Sequence, residues 1–377
     1  MTDFGEGRRY NSFVGYYKKK YGERLQKIVL DTGFTCPNRD GKVGRGGCTY
    51  CDNAAFHPAY STPGKPISEQ IDEGIEFHKV RYRNTAHYLA YFQSFSNTYA
   101  PLPRLKELYE AALAHPAVVG IVIGTRPDCV DEEKLDYIAD LKDGKVLKDW
   151  RRTLGGNVSA GAGSGDGGHE DGMAMPGWRR TLGCQASAQG DHDGDNVVKG
   201  SDNGVRELIA PIVTVEYGIE SCYDSTLQRI NRGHDFDCAQ NAVKMNAERG
   251  IETGAHFILG LPGETRDMML ESCREINALA LRSVKFHQLQ IVKGTRMEKE
   301  FAEHPEDFIR FTLDDYLDFF VDMLERLRPD LYIERFAGEV PPRFVNETPW
   351  GLIRNVELLR LLEKRLEERA TCQGRLY

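Results

Sequence analysis

The stretch GFTCPNRDGKVGRGGCTYCDN, residues 33–53, gathers Cys36, Cys48 and Cys51 on one glycine-rich loop, with eleven residues between the first two and two between the last pair. Thiolates on such a loop bind soft metals, and three chemistries fit the residue types. A zinc site would take the three sulfurs and His57, an acceptable Cys3His set with a long first gap. Structural or redox-active thiols would need no metal. A [4Fe–4S] cluster on three cysteines would leave its fourth iron open, and since structural clusters use four protein ligands, a missing ligand makes room for another molecule. Spacing alone leaves zinc and cluster evenly weighted.

The loop must be positioned by the elements around it. KIVLDT (27–32) reads as a buried strand running straight into it. Further strands are expected at 87–93, 117–124, 212–219, 252–260 and 283–291. Between them, apolar residues recur at helical spacing, as Ile67, Ile71 and Ile75 do in ISEQIDEGIEFHKVRYR. Six strands alternating with helices imply a parallel α/β sheet with right-handed crossovers, open or closed into a barrel. In either form the cysteine loop sits at the C-terminal edge of the sheet, where ligands gather in such folds.

The chain of 377 residues is 40% hydrophobic and 28% charged, enough for an ample core. A net charge of −8 does not advertise nucleic-acid binding over the whole surface. RRYNSFVGYYKKKYGER (8–24), basic with interleaved tyrosines, is a local candidate, and a solvated N-terminal segment is its plain alternative. Nine cysteines, unevenly spaced and without a secretion signal, are not a disulfide framework. A reducing compartment, the cytoplasm, is expected, and no apolar run is long enough for a membrane span. We divide the chain into a basic segment 1–26, a core 27–300 interrupted by a glycine-rich, low-complexity insertion 143–207 that is expected to be disordered, and a helical C-terminal cap 301–377. WRRTLG occurs twice in or beside that insertion, at 150–155 and 178–183, too few copies for a solenoid.

Taken in order, these stretches resemble the radical S-adenosylmethionine (SAM) superfamily, whose cluster loop ends in Cys-x-aromatic-Cys as CTYC does here. The long first gap is similar to the branch of the elongator catalytic subunit and to a bacterial radical SAM family of uncharacterised type. YFQSFSNTY (91–99) sits where the superfamily carries its glycine-rich segment for the SAM amino group, here with the glycines replaced. VEYGIESCYDSTLQRINRGHDF (215–236) resembles the fourth-strand region of the coproporphyrinogen-dehydrogenase branch, and HFILGLPGET (256–265) the fifth strand. The resemblance implies a partial (β/α)6 TIM-like barrel. It also implies a [4Fe–4S] cluster on Cys36, Cys48 and Cys51 and SAM contacts from Tyr50, Gln93, Ser94, Glu220, Arg232 and Ile258. A carboxylate for ribose hydroxyls and a guanidinium fork for a carboxylate are chemically apt. Reductive cleavage of SAM would yield a 5′-deoxyadenosyl radical, with electrons from a protein such as flavodoxin or ferredoxin. By the same kinship the substrate is tRNA, modified at a wobble uridine. A porphyrinogen-like metabolite is the alternative, and a non-catalytic zinc-binding nucleic-acid adaptor the second.

Other residues are placed by their surroundings. Arg126, at the end of the third strand in GTRPDCV, is a candidate catalytic residue, with a bare surface arginine as its counter-reading. Cys129, Cys222, Cys238 and Cys273 read as small buried hydrophobes. His256 and His287 lie on central strands and could face the barrel interior. Arg335 and Glu339, in ERFAGEVPP, would close the substrate side or pair with each other.

Overall fold

The computed structural model describes residues 4–5, 7–56, 58–80, 85–155, 197–198, 205–347, 350–351 and 353–377. Seven parallel strands form one sheet, β1 (Gln26–Leu30), β2 (Tyr88–Phe92), β3 (Val118–Thr125), β4 (Ile212–Glu220), β5 (Glu252–Leu259), β6 (Ser283–Gln288) and β7 (Tyr332–Arg335), paired in that order. Sequential parallel pairing with helical crossovers curls the sheet into a half-barrel. The six expected strands are all present, and the expected partial TIM-like barrel is what they build. The seventh comes from the tail, so residues 301–377 are more than a cap. They complete the sheet by pairing β7 to β6.

Alternation along the strands sorts the residues by face. Ile28 and Leu30 are fully buried toward the outer helices, while Lys27 and Val29 turn to the lumen. β2 and β3 are buried along their whole length, as expected of central parallel strands. The crossover helices carry their own start signals. Asp131, Asp235, Thr265 and Thr312 accept the exposed amide of the first turn at Lys134, Cys238, Met268 and Asp315. Each such cap contributes about 1 kcal/mol. Gly250 ends the helix Phe236–Glu248 with φ +62°, a conformation cheap only for glycine.

The N-terminal segment departs from its expectation. Phe13–Tyr21 is a helix whose Tyr16, Tyr17 and Tyr21 are buried, and Tyr10 packs edge-on against Phe336 with ring centroids 5.0 Å apart. Its tyrosines are therefore core residues, unavailable for stacking on bases. The Tyr16 hydroxyl donates to Glu252 Oε1 at 2.5 Å, joining the helix to the N-terminal end of β5.

The interruption after the third crossover helix is also narrower than its expected limits of 143 and 207. Residues 152–154 pair antiparallel with 206–208, which also take 197–198. Leu154 and Leu208 are wholly buried, and Trp150 Nε1 donates to the Leu113 carbonyl at 3.1 Å. The first WRRTLG copy is thus built into the fold. The second copy, Cys184 and His57 lie outside the described residues.

Candidate active site at the C-terminal edge of the half-barrel

The loop leaves β1 through Asp31, whose Oδ1 accepts the Gly33 amide at 2.8 Å. Cys36 then opens a single turn, Pro37–Asp40, closed by Gly41 at φ +97°. Gly46 and Gly47 both hold positive φ, and a Cβ on Gly47 would lie 2.9 Å from Arg39 Nε. This is why GRGG precedes Cys48: the chain must turn twice in the left-handed region against an arginine. Cys36 and Cys48 are buried and Cys51 is half-buried.

A second segment locks the loop in place. The Thr49 amide donates to the Ile230 carbonyl at 2.9 Å, and Asn231 Nδ2 donates to the Gly47 carbonyl at 2.8 Å. Arg296, beyond β6, donates to the same Gly47 oxygen. Arg232 follows from this tether. Its Nη1 lies 3.5 Å from Cys48 Sγ, its Nη2 donates to the Gly218 carbonyl, and Glu220 Oε1 is 3.8 Å away. Residues assigned from two distant motifs thus meet beside one sulfur. Burial acts against the Arg232 charge, but Tyr50, Cys48 and Glu220 hold its pKa well above the usual value. Glu220 itself sits at φ +75°, a strained conformation for a residue with a side chain. Ile258, two residues from His256, faces the lumen half-buried. Ser94 is buried and Gln93 half-buried after β2, and the next residue, Phe95, also has positive φ.

Arg126 is not free to act on a substrate. It is 2% exposed, binds Asp128 through Nε at 2.8 Å and Nη2 at 2.6 Å, and donates Nη1 to the Arg232 carbonyl at 2.7 Å. It positions the Arg232 segment. The residues that spacing missed lie beside those it found. Asn38 Nδ2 donates to the Asn231 carbonyl at 2.5 Å and approaches Cys48 Sγ at 3.7 Å. Arg39 Nη2 donates to the Cys51 carbonyl at 2.8 Å. Both stand inside the loop, in PNRDG, as donors that a negatively charged centre would need.

The donor chemistry fits a cluster better than a single metal ion. One zinc holds each ligand atom at about 2.0–2.3 Å, and among the described residues no three His, Cys, Asp or Glu side chains converge in that way. A cluster asks each sulfur to meet a different iron, so the sulfurs stay apart. Several polar atoms here are buried without a partner: Asn38 Oδ1, Thr49 Oγ1, Asn53 Nδ2, Arg232 Nε and His234 Nε2. Such atoms are costly unless a ligand completes them. Burial and the Cys48 sulfur push the Cys51 thiol up, while Arg39 and Arg232 oppose them. Burial and the Arg232 charge push His234 down to about 3, so it stays neutral.

A cavity of about 500 Å³ opens over the thiols, lined by Arg39, Cys48, Cys51, Phe95, Lys293 and Arg296 among others. A larger, more apolar cavity of about 930 Å³ lies off this site, between the end of β6 and the tail, and shares Gln288 and Gly338 with the lumen wall. Charge chemistry selects the smaller one. Inside the lumen, Glu216 accepts from Lys27 at 2.5 Å and Lys285 at 2.6 Å, with His256 Nε2 at 3.0 Å. Glu334 completes the floor, 2.7 Å from Lys27 and 3.1 Å from Lys285. Burial alone would raise the Glu216 carboxyl, but the two lysines and His256 hold it well below the carboxylate range. His256 and His287 do face the interior, their rings 5.6 Å apart. Glu339 accepts the Asn355 amide at 2.6 Å rather than pairing with Arg335.

Comparison with known proteins agrees with this geometry. The Radical SAM superfamily pattern matches residues 197–276 and the Radical_SAM C-terminal domain matches 281–368. The uncharacterized protein YtqA of Bacillus subtilis is 30% identical over 376 residues, 98% of this chain and 93% of that one. Protein YhcC of Escherichia coli strain K12 is 30% identical over 329 residues, 87% of this chain and 83% of that one. Among solved structures, an N-terminally truncated Elp3 from the archaeon Methanocaldococcus infernus shares the fold with a TM-score of 0.57 at 12% identity, over 93% of this chain. This chain spans 64% of that Elp3 chain. Among the described residues no helix is long and apolar enough to cross a membrane. With three thiols at the C-terminal edge of a curled parallel sheet, a relative 30% identical along almost the whole chain and both family models matched in order, the chain belongs to the radical SAM superfamily, enzymes that use a [4Fe–4S] cluster to cleave SAM reductively.

Proposed function

We propose that Cys36, Cys48 and Cys51 hold the cluster, that Arg232 and Glu220 receive the carboxylate and ribose of SAM, and that the substrate is a tRNA wobble uridine. The observation that carries this reading is the position of Arg232, between Cys48 Sγ and the Glu220 carboxylate. When bound, cluster and SAM together supply a 5′-deoxyadenosyl radical able to abstract hydrogen from an unreactive carbon. The chain's own part is to orient and to shield. Arg232 offers a forked donor to a carboxylate while its backbone is held by Arg126 and Asn38. Glu220 presents its carboxylate beside Arg232 from the end of β4. Asn38 lies against the Cys48 sulfur and Arg39 donates to the Cys51 carbonyl.

The tRNA assignment rests first on the family resemblance. A local charge pattern supports it: Lys42, Arg45, Lys293 and Arg296 are all exposed on or beside the cysteine loop, on a chain whose net charge is −8. A polyanion meets this rim before it reaches the lumen. Anaerobic reconstitution with iron and sulfide, followed by SAM, dithionite and bulk tRNA, should yield 5′-deoxyadenosine, more with tRNA than without. Binding of bulk tRNA should weaken as salt rises. Release of 5′-deoxyadenosine that ignores tRNA would end the substrate assignment, and a chain that takes up zinc and no cluster would end the whole reading.

A further inference from the structure

The β6–β7 pairing contains an irregularity at the substrate side of the lumen. Tyr332 pairs with Ser283 and Ile333 with Val284, but Lys285 pairs with Arg335, so Glu334 is an extra residue. This is a β-bulge, two residues on one strand facing one on its neighbour, a device that re-aims side chains near active sites. Without it, strict alternation would send Arg335 to the opposite face from Glu334. With it, both oppose Lys285, whose side chain turns into the lumen. Glu334 is used there by Lys27 and Lys285.

A charge census of the lumen leaves one cation over. Lys27 and Lys285 are matched by Glu216 and Glu334. His287, one pleat above Lys285, is kept neutral by its burial, with the Arg335 charge acting in the same direction. Among the described residues Arg335 has no carboxylate partner, and it is exposed at the open side of the half-barrel. The wall beside it is fixed: Gln288 accepts the Gly338 amide at 2.8 Å and donates to the Gly338 carbonyl at 3.1 Å. A Cβ on Gly338 would lie 3.0 Å from His287 Nδ1, so the turn after β7 packs closely on His287.

We propose that Arg335, turned into the lumen by the bulge and backed by His287, receives an oxyanion carried by the substrate, either a carboxylate or a phosphate. A planar fork suits both groups. The proposal rests on reading the lumen as the substrate chamber of a radical SAM enzyme, and the test keeps the two apart. Phenylglyoxal labels accessible guanidinium groups, and peptide mass mapping reads its rate at Arg335 in the wild-type chain. Arg274, 88% exposed on an outer helix, is the internal reference. Acetate or inorganic phosphate at high millimolar concentration should slow labelling of Arg335 and leave Arg274 unchanged. The more protective anion names the source. Labelling of Arg335 that neither anion slows would overturn the site. In the reconstituted enzyme, Arg335→Ala should raise KM for bulk tRNA roughly ten- to a hundredfold, as expected for loss of a charge-assisted hydrogen bond. kcat should move far less, and Arg335→Lys should recover part of the loss. An unchanged KM would overturn the substrate role. A wild-type enzyme that forms no 5′-deoxyadenosine, yet shows anion protection at Arg335, would sink the functional reading alone.

Discussion

At the floor of the half-barrel the buried carboxylate is fully matched: Glu216 is 1% exposed in its side chain and meets Lys27, Lys285 and His256. At the rim, a few residues further along the same strands, polar atoms are left open and the backbone is strained. Arg232 Nε, Asn38 Oδ1 and Thr49 Oγ1 are buried without partners, and Phe95 and Glu220 hold positive φ. The ion pairs of the floor are formed by folding alone. The rim has the unsatisfied polar atoms and stored strain of a site that a ligand completes. Strain and open valence gather beside the cysteine loop, where the proposed chemistry lies.

The contrast is broken most severely at the thiols. Cys48→Ala should abolish cluster uptake and 5′-deoxyadenosine formation, read by iron content and product assay. The unloaded chain should melt close to wild type, because the contacts of that sulfur with Arg232 and Asn38 are long, at 3.5 and 3.7 Å. Retained iron with full activity would remove Cys48 from the ligand set.

A matched pair of substitutions separates the two ends. Glu216→Gln leaves buried Lys285 and half-buried Lys27 sharing only Glu334, and breaking a buried network of this kind costs about 3–5 kcal/mol. Glu220→Gln should cost less than that, since its pairing with Arg232 is long, at 3.8 Å. It should instead raise KM for SAM roughly tenfold or more. Urea denaturation and SAM kinetics on both variants read the split. Equal stability losses would mean that the rim is as much a part of the folding core as the floor.

Much of this was legible in the chain, and what was hidden has a physical reason. AVVGIVIG and IVTVEYGI declare buried strands by their continuous apolar character, and the helices between them by their spacing. CTYC declares the thiols. β7 was missed because YIER is four residues with two charges and reads as a connector, although those charges face a polar lumen. Tyr16, Tyr17 and Tyr21 suggested a nucleic-acid surface because sequence cannot show which face of a basic helix is buried. Arg126 stands where a catalytic residue could, at a strand's end, and only the Asp128 two residues on reveals that it is already engaged.

A pH experiment reaches the boundary between the two regions. Glu264, in GLPGET, is buried and accepts from Ser221 Oγ at 2.5 Å, next to Glu220. Burial raises its carboxyl from 4.5 to about 7, against hydrogen bonds from Ser221 and Thr226. Between those values the folded chain keeps a proton that the unfolded chain has lost. Stability from this group is therefore complete below about pH 4.5 and lost as pH rises through about 7. The loss is on the order of 3 kcal/mol. Glu264→Gln keeps an acceptor for Ser221 and carries no charge, so it should gain on wild type between pH 5 and pH 8. A stability difference that does not change with pH would show that Glu264 is ionised in the fold.

The smallest effect sharpens the comparison most, because it asks whether the rim is strained at all. Glu220 holds φ +75° at the last position of β4, where the pairing with β5 shifts register between Gly218 and Glu220. A left-handed conformation costs a residue with a Cβ roughly 1–2 kcal/mol. Glycine escapes that cost but gives up about 0.5–1 kcal/mol through the freedom of its unfolded chain. Glu220→Gly should therefore stabilise the unloaded chain by a few tenths to about 1 kcal/mol, seen as a higher urea midpoint at constant slope. SAM binding should weaken in the same variant, since the carboxylate is gone. A substitution that strengthens the fold while weakening the ligand is the mark of a residue held against its own preference for function. If Glu220→Gly lowers the midpoint, the carboxylate contributes to folding through Arg232, and the rim is closer in kind to the floor than its geometry suggests.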